Sequence, residues 1–347
     1  MKLPASKHRR LTTLLLASVL TTALGACGGD NGAKSDPNSV SVGYLNSVSL
    51  APVFLAESIG CYRQQGLRVK LSAVQPADAV ALVAEGKLDV YAGAPSAAVF
   101  NQVNSGAKLA VVAGLGTIAT PAGEPAPVGV YVRKALVDSG QVTKPADLAG
   151  RRIGTIGDVG TAGSYQIARV LAAGGRTLKD VQLVTMSLAD TVPALENGSV
   201  DAAFLTAPYT AQVEAAGTAK PVIDVKRVYG DDSLAGLVFG PSLLKNHRNT
   251  GAAFLKANAC AAQRLQGDYR KDAEVVTSLA KGVDAPEQTI RNGALYAFDP
   301  KLTVNGETLE RMQQIFLGYG GVLTYKSPIA VAKMTDDGLR QAAFGGQ

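Results

Sequence analysis

The sequence contains few of the residues on which metal sites and nucleophilic catalysis depend. Its 347 residues include no tryptophan, two histidines and three cysteines. Three cysteines are too few for a four-thiolate zinc site or for a small scaffold stapled by disulfides. The histidines are His8 and His247, and no His/Cys metal-ligand spacing occurs. We therefore predict no metal site, and a Ser-His or Cys-His nucleophile would have only His247 available.

Charged residues are also scarce, at 18% of the chain, while 47% of the residues are hydrophobic. This composition excludes wholesale disorder, and the length suggests about two domains of ordinary size. The formal net charge of +6 would favour nucleic acid or an anionic membrane as a partner. However, four of the 34 basic residues and none of the 28 acidic ones lie in residues 1–26, so the rest carries only +2. We predict no nucleic-acid partner.

Residues 1–26 have the layout of a secretory signal. Four basic residues precede a mostly apolar run, residues 11–24, which is shorter than a typical membrane span. The segment closes on Leu24-Gly25-Ala26-Cys27, which looks like a bacterial lipobox. In a lipobox the cysteine is lipidated, so we predict that lipid on Cys27 holds the protein at a membrane surface on the extracytoplasmic side. The alternative is a plain secreted protein with a chance cysteine.

Residues 27–39 follow, and their sequence after the cysteine, GGDNGAKSDPNS, has no periodic apolar pattern. Gly, Ser, Asn, Asp and Pro in this mixture are typical of flexible linkers. We predict a tether between a lipid anchor and a folded body that works on something dissolved just outside the membrane.

From residue 40 onward, short β-branched runs alternate with helical stretches. The order strand-helix-strand-helix-strand occurs twice, which predicts an α/β fold with parallel sheets and helices on their faces. The first set is predicted at residues 40–45, 51–65, 67–74, 77–85 and 88–93. The second set is predicted at residues 152–156, 162–173, 181–186, 192–196 and 200–205.

Two landmarks recur at matching places in the two sets. Gly86-Lys87-Leu88-Asp89 leads into the third strand of the first set, and Gly198-Ser199-Val200-Asp201 into that of the second. In each set a valine of the preceding strand lies 20 positions before the Asp. Both third strands then end in Ala-Pro, at Ala94-Pro95 and Ala207-Pro208. The shared spacing and residue types predict two similar α/β lobes.

A Gly- and Pro-rich stretch, residues 116–129, lies between the two sets and predicts a crossover between the lobes. The chain from residue 237 onward has one clear strand followed by helices, which we expect to return to the first lobe. Lobe 1 is thus predicted to comprise residues 40–118 and 237–347, and lobe 2 residues 119–236. Two lobes joined by crossing segments suit hinge closure around a ligand.

Several runs resemble the solute-binding proteins of ABC importers, specifically the nitrate/sulfonate/taurine-binding family, which includes binders of thiamine-pyrimidine precursors. The runs are APVFLAE from Ala51, GCY from Gly60, GLRV from Gly66, DLAGRRIG from Asp147 and PALENGSVDA from Pro193. The resemblance implies a type II periplasmic-binding-protein fold, with two doubly wound lobes joined by two crossover segments and a solute in the cleft. It also implies a monomer whose partners, an ABC permease and its ATPase, are separate chains.

The loop from Gly154 to Ser164 is the most informative candidate for a ligand site. It follows a strand and opens a helix, so its backbone N–H groups and the hydroxyls of Thr161 and Ser164 are expected to point at one spot and favour an anion. The alternative is that Thr161 only caps the helix. Asp158, in the same loop, would repel an anion or hold an ammonium or ring N–H.

Further candidates lie where other strands end, because ligands bind at the carboxyl edge of open parallel sheets. In the first lobe these are Asn46, Ser47, Pro95 and Ser96, whose alternative role is turn chemistry. In the second lobe they are Thr206 and Tyr209, and Tyr209 could equally pack on the hinge. Thr117 lies at the crossover.

The remaining motifs predict no cofactor and no disulfide. Gly114-Leu-Gly-Thr-Ile-Ala119 matches a dinucleotide fingerprint, but prolines follow where the helix would have to start. Cys61 and Cys260 both fall in helical, apolar surroundings of the first lobe. An oxidising compartment permits a bridge between them, but we favour two buried thiols.

These features favour a lipid-anchored, non-enzymatic solute-binding subunit of an ABC importer, which captures a small polar or anionic solute resembling a sulfonate, nitrate, taurine or a pyrimidine. One alternative keeps the fold but makes it the extracytoplasmic sensor of a signalling system. Another is an enzyme of the dehydratase type known on this fold, with carboxylate chemistry from Asp158 or Asp190. The related yeast-type pyrimidine synthases need a cysteine-rich run and an active-site histidine, and neither is visible.

Overall fold

The computed structural model describes residues 36–118, 126–230, 232–233 and 235–345. The predicted secretory signal, Cys27 and most of the predicted tether lie outside the described residues. The folded body runs from Pro37 onward, and Pro37 and Asn38 form a turn into the first strand. None of the helices in the described ranges has the length and apolar character needed to cross a membrane.

Strands and helices alternate along most of the described chain. The strands are β1 Ser39–Tyr44, β2 Arg68–Ala73, β3 Val90–Gly93, β4 Ala110–Gly114, β5 Val128–Arg133, β6 Arg152–Ile156, β7 Gln182–Met186, β8 Ala202–Thr206, β9 Ala219–Pro221 and β10 Gly236–Phe239. The α-helices are α1 Ala51–Ser58, α2 Cys61–Gln64, α3 Pro76–Ala84, α4 Ala97–Asn104, α5 Lys134–Asp138, α6 Ala162–Ala173, α7 Leu188–Asn197, α8 Tyr209–Ala216, α9 Val225–Tyr229, α10 Arg248–Arg264, α11 Ala273–Val283, α12 Glu287–Asn292, α13 Gly306–Tyr319 and α14 Asp337–Phe344.

The described strands form two five-stranded sheets of the same design. The first has the order β2-β1-β3-β10-β4 and the second β7-β6-β8-β5-β9. In each sheet the first three strands are parallel, and the fourth is antiparallel to both of its neighbours. The antiparallel strand is the one that follows a crossing between the sheets, because β5 follows β4 and β10 follows the return from α9. The prediction of two similar α/β lobes joined by two crossing segments is confirmed.

The repeated Gly-x-aliphatic-Asp landmark has the same structural role in both lobes. Gly86 and Gly198 have φ of 72° and 79°, in the left-handed region. Glycine adopts this conformation at a helix end without the steric penalty that a Cβ would bring. The Asp89 carboxylate accepts hydrogen bonds from the backbone N–H and the hydroxyl of Ser41, at 2.9 and 2.7 Å. Asp201 likewise accepts from the backbone N–H of Arg152 at 3.0 Å. Each Asp therefore ties the turn before its strand, β3 or β8, to the neighbouring parallel strand, β1 or β6.

The structure corrects two predictions in the first lobe. The single helix predicted over residues 51–65 is two helices, α1 and α2, because Gly60 adopts φ 80° between them. The prediction that Cys61 and Cys260 are unpaired is wrong, since the two form a disulfide with their Cα atoms 6.2 Å apart. The new helix start at Cys61 turns its side chain onto α10, and 199 positions of sequence separate the two cysteines.

The lobes are packed against each other along α6, the helix that follows β6. Tyr165 of α6 is 1% exposed and belongs to a core cluster with Phe100 of α4 and Phe316 of α13. Two backbone hydrogen bonds also connect the lobes, from Ala97 N–H to the Gly160 carbonyl and from Val48 N–H to the Ala207 carbonyl, at 2.8 and 3.3 Å. The arrangement is therefore closed, with α6 at the interface.

Candidate functional site

A small cavity lies between the lobes, where the central strands of both sheets end. Its volume is about 50 Å³. The first lobe lines it with Leu45, Ser47, Ser49, Leu50, Gly93 and Ala94. The second lobe lines it with Val128, Ile156, Ala162, Gln166, Phe204 and Thr206. The cavity thus occupies the carboxyl edges of two facing sheets, which is the position where open α/β sheets bind ligands.

A chain of buried hydroxyl groups crosses from one lobe to the other at the floor of this cavity. The oxygens of Ser49 and Ser47 are 2.8 Å apart, and those of Ser47 and Thr206 are 3.3 Å apart. Thr206 is 2.5 Å from the hydroxyl of Tyr296, which donates to the Pro127 carbonyl at 2.9 Å. Burial raises the pKa of Tyr296 well above its ordinary value, so its hydroxyl stays protonated.

Gln166 is the polar side chain of the cavity whose hydrogen bonding is incomplete. The residue is 3% exposed, and its Oε1 has no hydrogen-bond partner among the described residues. It lies four positions after Ala162, so the two share one face of α6 one turn apart. By helix geometry the N–H groups of the first turn, including that of Ala162, have no partner within the helix. One face of α6 therefore offers an acceptor and a donor to the cavity.

The predicted hydroxyls of the α6 loop form the cap of that helix. Thr161 Oγ1 accepts from the Ser164 N–H at 3.4 Å and donates to the Asp158 carbonyl at 3.0 Å. Ser164 Oγ accepts from the N–H groups of Gly160 and Thr161 and donates to the Thr161 carbonyl at 2.9 Å. Both hydroxyl protons are thus directed at the backbone. The Asp158 carboxylate is exposed and accepts from the Thr185 hydroxyl at 2.7 Å.

The other predicted residues lie around the cavity at different depths. Asn46 is half-buried and its Oδ1 has no partner among the described residues, whereas Pro95 is buried beside a separate void of about 10 Å³. Ser96 precedes α4 and is 8% exposed. Thr117 exchanges two backbone hydrogen bonds with Ala297 on the first crossing. Of the predicted set, Ser47 and Thr206 line the cavity itself.

Tyr209 is the first residue of α8, directly after the cis Ala207–Pro208 peptide bond. It is half-buried and packs against the two core clusters of the second lobe. Its position is consistent with a packing role near the end of β8.

Sequence reasoning missed Ser49, Gln166 and Tyr296. Gln166 could have been found from its position one turn after the helix start, on the face of Ala162. Ser49 lies two residues after Ser47 and closes a tight local turn with it. Tyr296 carries no local signal, because 90 positions separate it from Thr206, whose hydroxyl it contacts.

A second polar cluster anchors the C-terminal half of α6 and lies outside the lining of the cavity. Asp232, on the second crossing, has a side chain that is 1% exposed. Its carboxylate accepts from Arg169 and Arg311 at 2.5 Å each, from Tyr165 at 2.7 Å and from Thr308 at 3.2 Å. Burial, together with the neighbouring Asp232 carboxylate, raises the pKa of Tyr165 to about 12. The cluster joins the crossing segment to α6 and α13.

Metal-binding groups are not assembled in the described part of the chain, where no three His, Cys, Asp or Glu side chains come together as a metal ion would require. The two described cysteines form the disulfide in the first lobe. His247 lies between a turn of π-helix and α10, also in the first lobe.

Several solved structures share this fold. The periplasmic nitrate-binding protein NrtA from Synechocystis PCC 6803 is 15% identical, with a TM-score of 0.71 over 89% of this chain and 89% of that one. The alkanesulfonate-binding protein SsuA from Xanthomonas axonopodis pv. citri, bound to MOPS, is 18% identical, with a TM-score of 0.66 over 87% of this chain and 99% of that one. The desulfurization enzyme DSZB is 17% identical, with a TM-score of 0.61 over 88% of this chain and 99% of that one.

At these identities the likeness establishes the fold, and binding proteins and an enzyme both occur on it. None of the curated proteins matches the chain by sequence. Residues 47–268, which are more than half of the chain, match the family model described as NMT1/THI5 like. The resemblance drawn from the sequence motifs is confirmed. The chain therefore belongs to the NMT1/THI5-like family and has the type II periplasmic-binding-protein fold.

Proposed function

We propose that this chain is the extracytoplasmic solute-binding subunit of an ABC importer, anchored by lipid on Cys27. One observation carries the proposal, namely a cavity at the facing carboxyl edges of two similar sheets, with walls from both lobes. A ligand there touches both lobes at once, so it stabilises the closed arrangement over an open one. A permease that recognises the closed form can then distinguish loaded from empty protein.

Contacts between the two lobes add to those that a ligand would make with each of them. The Ser47–Thr206 contact and the two inter-lobe backbone hydrogen bonds exist only when the lobes meet. Each hydrogen bond is worth about 1 kcal/mol net, because water replaces it on opening. A ligand that contacts both lobes adds its own binding free energy to these contacts and shifts the population toward the closed form.

The residues of the cavity also favour reversible binding over catalysis. Covalent catalysis needs an activated nucleophile with a base in hydrogen-bond reach. The described cysteines are joined in the disulfide, and neither they nor His247 are among the residues that line the cavity. Asp158 and Asp190, the carboxylates of the enzyme alternative, are exposed and bonded to the hydroxyls of Thr185 and Ser187 at 2.7 and 2.6 Å.

Placement at the membrane follows from the sequence around Cys27. Lipid on that residue would keep the body close to its permease, with residues 28–36 as the connecting chain. Full-length protein should fractionate with membranes and a Cys27→Ser variant should not. Equal membrane retention of both would contradict the lipid anchor without touching the binding role.

The binding role is tested by the solute itself. Native mass spectrometry of protein from its own cells should show a bound solute, and loss of the gene should abolish uptake of that solute in labelled form. Unchanged uptake would refute the importer role. Release of a chemically altered solute on incubation would instead support an enzyme, because the enzyme DSZB has the same fold.

A further inference from the structure

We infer that the cavity selects an uncharged small molecule that donates hydrogen bonds, in place of an anion such as a sulfonate or nitrate. The inference rests on the proposed binding role and adds the chemical class of the solute. It follows from three features of the cavity: the direction of its hydroxyl protons, the unpaired oxygen of Gln166, and the charge of its lining.

The direction of the hydroxyl protons follows from the Tyr296 end of the hydrogen-bonded series. The Pro127 carbonyl can only accept, so Tyr296 spends its single proton on it. Thr206 must then donate to Tyr296, Ser47 to Thr206, and Ser49 to Ser47. In this order every hydroxyl proton is used within the hydrogen-bonded series, so Ser49, which lines the cavity, keeps lone pairs but no free proton.

Gln166 adds a second acceptor to the same cavity. Its Oε1 is buried and unpaired among the described residues, which costs about 1–3 kcal/mol unless something donates to it. A ligand N–H or O–H would recover that cost. A ligand with only lone pairs would face Gln166 and Ser49 with like partial charges.

The lining supplies no charge to offset that repulsion. None of the residues lining the cavity in the described part of the chain is Lys, Arg, His, Asp or Glu. Residues 119–125, 231 and 234, which lie outside the described ranges, include no basic residue either. The first turn of α6 contributes partial positive charge, which suits a carbonyl or sulfonyl oxygen of a neutral molecule. A full anion would lose its hydration without a cation in return.

The volume of the cavity and its apolar lining limit the size and shape of the solute. About 50 Å³ is space for only a few non-hydrogen atoms in the closed arrangement, since one water needs about 10–15 Å³ by the same measure. The apolar side chains of Leu50, Ile156 and Phe204 border it. A compact molecule with an acceptor beside an N–H or O–H donor, such as a primary amide or sulfonamide, matches this cavity.

Isosteric pairs test the inference directly. Protein from Pro37 onward, purified as the folded body, is titrated calorimetrically with methanesulfonamide against methanesulfonate, and with acetamide against acetate. We expect the uncharged member of at least one pair to bind at least tenfold more tightly. Tighter binding of the anions would overturn the inference and leave the binding role intact.

Two variants ask whether the named groups cause the preference. Gln166→Leu should weaken binding of the uncharged member about tenfold. Tyr296→Phe removes the fixed end of the hydroxyl chain, so Thr206 and the two serines can reverse and Ser49 can donate. That variant should lower the uncharged-over-anion ratio at least threefold. Tyr62→Phe, which removes a buried hydroxyl elsewhere in the first lobe, is the control and should leave the ratio unchanged. A ratio unaffected by Tyr296→Phe would overturn the proton order.

The native solute gives a reading independent of these probes. If no probe binds, the solute found by native mass spectrometry decides: an uncharged donor supports the inference, and an anion overturns it. If the protein carries no solute and loss of the gene leaves the uptake of labelled small solutes unchanged, the proposed function itself is refuted.

Discussion

Removal of the Asp232 charge should destabilise the protein more than removal of a charge from any surface ion pair. The carboxylate is 1% exposed and holds Arg169 and Arg311, whose side chains are 18% and 36% exposed. Breaking a buried pair leaves uncompensated charge and costs about 3–5 kcal/mol. Because Arg311 is partly solvated, we expect Asp232→Asn to cost about 3 kcal/mol, near the lower end. That corresponds to a fall in Tm of about 4–5 °C for a folded body of this size.

The assay is urea unfolding of the folded body, with a double-mutant cycle to isolate the pair. Arg169→Met should cost more than Arg311→Met, since Arg169 is the less exposed partner. The double variant Asp232→Asn/Arg169→Met should cost less than the sum of its parts, because Arg169 is then no longer left as a charge without its partner. Asp138→Asn is the matched control, as its lysine partners and its own side chain are about half exposed.

The outcome that contradicts this account is specific. A loss below about 1 kcal/mol for Asp232→Asn, equal to that of Asp138→Asn, would place both in the range of surface pairs. The cluster would then not anchor α6. A large loss with no coupling to Arg169 would mean that hydrogen bonds from Tyr165 and Thr308 carry the stability instead.

Three further predictions follow from single contacts. Reduction of the Cys61–Cys260 disulfide should lower the free energy of unfolding by about 2–5 kcal/mol, and a reductant without effect on urea unfolding would contradict it. Ser164→Ala should cost about 1 kcal/mol of stability through the lost cap while solute affinity stays within twofold; loss of affinity would give this hydroxyl a binding role. The hydrogen bond from Arg248 lowers the pKa of Asp336, so its stabilisation is present above the unfolded pKa of about 4 and is lost as the pH falls through the lower folded pKa. Acid unfolding of Asp336→Asn should therefore show a shallower slope, and an identical slope would argue against the pair.

Local patterns in the sequence predicted much of the second lobe. The bounds of β6 and α6 agree with the prediction, because Thr161 caps the helix and a β-branched run precedes the loop. Helix α7 begins at Leu188, four residues before the prediction, because the Ser187 hydroxyl accepts from the Asp190 N–H and caps it there. Pro193 then lies in its interior and does not mark its start.

The candidate site was predicted only in part for a related reason. Strand ends locate residues such as Ser47 and Thr206, since every parallel strand delivers its last residue to the same edge. The protons of those hydroxyls are set by Tyr296 and Pro127, which come from distant segments. The anion preference predicted for the α6 loop stays a prediction, and the titrations proposed above decide between it and an uncharged solute.

The sequence by itself determined the two-lobed α/β architecture, the crossings and the family. These depend on hydrophobic periodicity, on glycines that must adopt positive φ, and on Asp residues that cap neighbouring strands, all of which are properties of short segments. Only the tertiary structure decided that Cys61 meets Cys260, that Asp232 gathers two arginines, and that Gln166 is left with an unpaired oxygen at the cavity. Those outcomes depend on which distant side chains become neighbours, and hydrogen bonds and ion pairs act only over the few ångströms that packing sets.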